Sequence, residues 1–173
     1  MYFLSYFIHG PPVFSTLGSN TPRGNQMSFS QQQVAYTLWA VLGSPLVLGT
    51  ALVRMTAETL ALVTNKEVIQ MAKTSSRTRQ LWWDGVPCAG AVGQSAGVPC
   101  TATTAWEVTL HSTKYFALFN LGPEQRSVRV EGVGAGSLFD VWRQQPNGTT
   151  SGLGSITRTV AANSTLLLRL NSD

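Results

Sequence analysis

Between Leu38 and Ile69 the chain reads LWAVLGSPLVLGTALVRMTAETLALVTNKEVI, one short apolar run framed by two helix-like segments. Leu46-Val47-Leu48 is continuous rather than alternating, opened by Pro45 and closed by Gly49. A strand of that kind is covered on both faces, as parallel sheets require. The segment before it carries helix punctuation. Ser28 and Gln31 fit a capping box, and Val34, Leu38, Val41 and Leu42 share one helical face before Gly43 stops the run. The segment after it starts with Thr56 as N-cap and Glu58 in the positive first turn, with Met55 placed to pack on Leu60 and Asn65 at the exit. Helix, buried strand, helix is α/β architecture, yet this lone parallel strand finds no sheet partner in the rest of the chain.

From about residue 74 the period changes. RQLWWD, TAWEVTL, KYFALFNL, RSVRVE, LFDVW, SITRTV and STLLLRL are short and rich in β-branched and aromatic residues. Turn signals separate them, among them Asp84-Gly85, Gly122-Pro123 and Pro146-Asn147-Gly148. Seven such segments at close spacing predict an antiparallel sandwich. KTSS, near residues 70–76, reads as the linker, which divides the chain into 1–73 and 74–173. There is no internal repeat.

Composition narrows the function classes. Charged residues make up 12% of the 173, against roughly 25% in an average soluble protein, and the net charge of +4 is scattered. Only Lys73, Arg77 and Arg79 cluster, which is no basic stripe for a nucleic acid. MYFLSYFIHG is apolar but lacks a positive flank and a small-residue cleavage site, and it is too short to span a bilayer. A buried strand, or chain read from an internal start, accounts for it better than a signal peptide. The apolar run at 41–53 is broken by Gly43, Pro45, Gly49 and Thr50, so no membrane span is expected.

Cys88 and Cys100 bracket CAGAVGQSAGVPC, a Gly-rich segment with little to hold it by packing. A disulfide would tie off that loop; two buried free thiols are the alternative, and no spacing supports a metal site. Asn147-Gly-Thr149 and Asn163-Ser-Thr165 are glycosylation sequons, which point with the cysteines toward a secretory or vacuolar route.

The order QQQVAYTLWAVLGSPLVLGT, then MTAETLALVTNKEVI, then strands containing YFALFNLG, DVW and VAANSTLLLRL, resembles the α-galactosidase (melibiase) family of glycoside hydrolases, above all its plant-like and algal-like members. The likeness is strong over 28–71 and moderate over 104–170. It implies a catalytic (β/α)8 barrel followed by an antiparallel β-domain, and retaining hydrolysis of terminal α-linked galactose. Such a barrel takes about 250 residues, so residues 1–73 are expected to be its C-terminal remnant.

Retaining glycosidases set two carboxyl groups ~5–5.5 Å apart, one as nucleophile and one as acid/base. The resemblance implies two aspartates on earlier barrel strands, and residues 1–57 hold no Asp or Glu, so no position inherits either role. The acids present have ordinary explanations. Glu58 opens a helix, Glu67 lies near a helix exit, Asp84 precedes a turn Gly and Glu124 follows Pro123, while Glu107, Glu131 and Asp140 alternate with apolar neighbours and are expected to face solvent. Where the family carries an Asp and Leu-Arg after LGT, this chain has Ala51-Leu52-Val53-Arg54, and GPPVFSTLGSN replaces an acidic run. His9 and His111 have no motif-spaced Ser or Cys partner, and Gly43 and Gly49 lack the Gly-Lys-Ser/Thr ending of a phosphate loop. Trp82, Trp83, Trp106 and Trp142 suit sugar stacking but at strand positions read as core.

The expectation is therefore a C-terminal piece of an α-galactosidase, inactive alone, without catalytic residues, metal or cofactor. In the complete enzyme its partner is a galactoside, with self-association open and a secreted, vacuolar or lysosomal setting implied. A non-catalytic sandwich module binding carbohydrate or protein is the alternative. In either case the helix faces are expected to lie uncovered and residues 1–70 to exchange amide protons readily.

Overall fold

The computed structural model describes residues 28–46, 55–74, 77–84, 102–152 and 154–172. Three helices precede eight strands among them: α1 (Phe29–Val41), α2 (Ala57–Val63), α3 (Lys66–Lys73), β1 (Arg77–Asp84), β2 (Thr103–Leu110), β3 (Thr113–Asn120), β4 (Arg126–Val130), β5 (Gly136–Asp140), β6 (Gln145–Thr150), β7 (Ile156–Val160) and β8 (Ser164–Asn171). Every strand pairing is antiparallel. A six-stranded sheet runs β1-β2-β3-β8-β5-β6, and β4 and β7 form a two-stranded sheet against it.

The helix ends follow the sequence punctuation. Ser28 and Gln31 close a reciprocal capping box, and the Thr56 hydroxyl accepts from Thr59 N–H. The second helical stretch is divided. Asn65, read as an exit residue, instead caps α3 by accepting from Glu67 N and Val68 N, so Glu67 lies in a first turn rather than near an end. Leu60 remains 46% exposed, and Met55 packs on the helix-side core instead of serving as a staple for it. Leu46 is outside any strand, and Val47 and Leu48 lie outside the described residues, as do Cys88, Cys100 and His9.

Two cores lie on opposite faces of the large sheet. On one, Tyr115, Ala117, Phe119 and Leu167 meet Val34, Leu38 and Val41 of α1 and Val68 and Met71 of α3. On the other, Phe116, Leu118, Leu168 and Leu170 meet Val128, Val130, Ile156 and Val160 of the small sheet. Successive side chains of a strand point to opposite faces, so β3 and β8 read as unbroken apolar runs because both faces are covered. The helix faces expected to lie bare are covered by this sheet: Val34, Leu38 and Val41 are 5% exposed or less. The sheet that covers them is antiparallel and belongs to the β-rich part.

All seven strands read from the sequence form, and one more appears. Pro146-Asn147-Gly148, expected as a turn, lies within β6. The reversal comes earlier, at residues 141–144, where the Asp140 carboxylate accepts from Trp142 N and Arg143 N and Gln144 takes a φ of 53°. Because β6 is the last strand of its sheet, Pro146 is accommodated without the ladder losing an obligatory donor.

Candidate functional site

Where the helix layer meets the β5–β6 turn, the end of β7 and the start of β8, the surface opens into a cleft of about 1270 Å3. Its rim is set by three anchors. The Trp142 indole donates Nε1–H to Thr37 Oγ1 at 3.1 Å and lies 6.4 Å from the Tyr36 ring, which pegs the β5–β6 turn into α1. Asn65 Nδ2 donates to the Val141 carbonyl at 3.3 Å, joining the α3 cap to the same turn. Across the cleft, Arg158 on β7 holds Asn147 on β6 through Nε to Oδ1 and Nη2 to the carbonyl oxygen, both at 2.6 Å.

Three carboxylates line this cleft: Glu58, Glu67 and Asp140. Glu67 is engaged at both oxygens, accepting from Arg169 Nη1 at 2.8 Å and from the Tyr115 hydroxyl at 3.2 Å. Tyr115 is pushed up to about 12 by burial first, and then by the charge and hydrogen bond of Glu67, with Arg169 opposing. Arg169 in turn lies 4.7 Å over the Phe139 ring. Asp140 departs from the sequence expectation. It is fully buried rather than facing solvent; Oδ1 caps its own turn, and Oδ2 has no hydrogen-bond donor, with Arg143 Nε 3.9 Å away. The alternation of β5 holds, but with the opposite parity: Gly136, Leu138 and Asp140 share the buried face, and Ser137 and Phe139 take the partly exposed one. Glu131 does face solvent, its side chain 75% exposed, whereas Glu107 is drawn in between Arg79 and Lys114 and is 14% exposed.

Glu67 and Asp140 serve as structural acceptors, and Glu58 stands exposed in the first turn of α2. Among the described residues no group of three or more His, Cys, Asp or Glu converges on a point, and no helix is long and apolar enough to cross a membrane.

The sequon residues both adjoin turns. Asn147 lines the cleft, and Asn163 sits at the β7–β8 reversal with a φ of 47°. His111 occupies the β2–β3 hairpin turn, with a φ of 55°. Trp106 packs on the helix-side core and Trp82 on the opposite one, as expected of strand tryptophans; Trp142 reaches the helix-side core from the β5–β6 turn, and Trp83, 46% exposed, departs from the core expectation. Sequence reasoning did not single out Gln33, Gln125 or Arg158, which the fold brings to one cleft from α1, the β3–β4 loop and β7. No local motif marks them, because they are neighbours only through the sheet order.

No family model and no curated protein matches this chain. Solved structures do. A GH27 β-L-arabinopyranosidase of Geobacillus stearothermophilus superposes with a TM-score of 0.71 at 20% identity, over 90% of this chain and 33% of that one. α-Galactosidase I of Mortierella vinacea gives 0.67 at 24%, over 89% and 38%. An α-galactosidase of Saccharomyces cerevisiae solved with raffinose gives 0.72 at 13%, over 91% and 45%. At these identities the likeness establishes the fold, a helix-backed antiparallel β-sandwich seen in glycoside hydrolases. The chain spans a third to less than half of their length.

Proposed function

We propose that this chain is the C-terminal portion of a retaining α-galactosidase of the plant-like or algal-like type, without turnover by itself. One observation carries this reading: helices and sandwich together, not the sandwich alone, superpose on α-galactosidases over 89–91% of the chain. Residues 1–73 then supply the end of the barrel and residues 74–173 the β-domain that packs beneath it. The substrate of the complete enzyme is a terminal α-galactoside, and the two catalytic carboxylates lie on strands of the barrel outside these 173 residues. The carboxylate geometry described above supports this division of labour. A secreted, vacuolar or lysosomal setting belongs to the same proposal. The two sequons support it, with Asn147 and Asn163 as glycan acceptors and a Cys88–Cys100 bridge as its further consequence.

The purified chain is expected to release no galactose from 4-nitrophenyl α-D-galactopyranoside or raffinose. Transcript sequence upstream of the codon for Met1 is expected to encode further barrel strands with two aspartates, and the extended product to hydrolyse both. Galactose release by the 173 residues alone, abolished by Glu58→Gln or Glu67→Gln, overturns the first half. An extended product without turnover overturns the second.

A further inference from the structure

We propose that the cleft between the helix layer and the β5–β6 turn is a non-catalytic binding site for a neutral oligosaccharide. Size is the first argument. Pockets for a single small ligand hold roughly 300–1,000 Å3. This cleft is larger, at about 1270 Å3, and open to solvent, which suits a chain of several sugar units lying along it.

Charge is the second. Glu58, Glu67 and Asp140 face Lys66, Arg143 and Arg158, three acids against three bases. Glu67 is engaged by Arg169, Asp140 by Arg143 and its own turn, and Arg158 by Asn147, so Glu58 and Lys66, one of each sign, are the charges left for a ligand. A phosphate or nucleotide calls for a surplus of positive charge and an ammonium group for a surplus of negative charge. Neither surplus exists here.

The third argument is the chemistry of the lining. Gln33 and Gln125 line the cleft and have no side-chain partner among the described residues. A primary amide offers donor and acceptor side by side, which matches a hydroxyl that must both give and receive. Trp142 presents a ring already fixed by Thr37, and Phe29, 39% exposed, adds a second aromatic surface for the C–H faces of a sugar. The walls are tied by the Arg158–Asn147 and Asn65–Val141 bonds, so little ordering opposes binding.

Calorimetric titration of the full chain with maltopentaose, mannopentaose and stachyose tests this. At least one of the three is expected to bind, with its constituent monosaccharide and a galacturonate oligomer each weaker by about tenfold or more, a difference of ~1.4 kcal/mol. Gln33→Ala and Gln125→Ala together are expected to weaken binding about fivefold or more, whereas Gln70→Ala, outside the cleft, leaves it unchanged. Absence of binding for all three neutral probes, preference for the galacturonate oligomer, or indifference to the Gln33/Gln125 pair overturns the proposal. The readout is binding in a chain expected to lack turnover. A failure here therefore leaves the glycosidase reading untouched, and a failure there leaves the cleft untouched.

Discussion

Asn120 shows how much one buried polar side chain can hold. Fully buried at the end of β3, it donates to the carbonyls of Glu124, Val160 and Ala161 and accepts from Gly122 N–H. Removing it takes the partner from two buried backbone groups, the Val160 carbonyl and Gly122 N–H, and each unsatisfied buried group costs about 1–3 kcal/mol. Asn120→Ala is expected to lower stability by about 3 kcal/mol or more, read as a shift of the urea midpoint at constant slope. Tyr36 and Tyr115 make the stability sensitive to alkali. Burial raises both from 10.0 to about 12, so the folded state keeps protons that the unfolded state releases. Their contribution is fully present below pH 10 and falls away between pH 10 and 12. The urea midpoint is expected to decline across that window, and Tyr36→Phe with Tyr115→Phe to flatten the decline. A decline of equal steepness in the double variant would exclude these two groups as its source.

At the scale of elements, α1 departs most from a simple stripe. Val34, Leu38 and Val41 were legible as one face, but Ala35, Tyr36, Thr37 and Ala40 are buried as well. From Val34 onward only Trp39 of this helix is not buried, so its C-terminal two turns are enclosed on nearly every side. Here the β3 and β8 face lies on one flank and α2 and α3 on the other, with Tyr36 donating to the Val63 carbonyl and Thr78 to that of Val41. The amide protons of residues 35–41 are accordingly expected to exchange as slowly as those of β3 and β8, contrary to the easy exchange that uncovered helices would show. Fast exchange in α1 beside slow exchange in β3 would mean that the helix layer opens on its own. Leu38→Ala is expected to destabilise by about 2–5 kcal/mol, since it opens a cavity at a site 2% exposed. The strand elements were the most readable, because β-branched and aromatic clusters between turn residues are local signals. β6 was hidden for the same reason: Pro-Asn-Gly is turn chemistry in isolation, and only the edge position makes it strand.

For the molecule as a whole, the helices and the sheet share one core through Leu38, Val41, Met71, Phe119 and Leu167. Their ties include the Glu67–Arg169 pair and the Trp142–Thr37 bond. Thermal unfolding is therefore expected as a single transition by both far-ultraviolet and tryptophan signals. Two separated transitions would show instead that residues 1–73 and 74–173 melt as independent units. The caps of α1 and α2, seven of the strands and the switch of period near residue 74 could all be read along the chain, because each rests on residues within a few positions of one another. Burial of Asp140, the strand character of Asn147, the cover over α1 and the convergence of Gln33, Gln125 and Arg158 could not. They depend on which strands become neighbours, and β8 pairs with both β3 and β5 across dozens of intervening residues. Local chemistry selects the elements; packing of distant segments settles which faces remain wet, and with them where a ligand can lie.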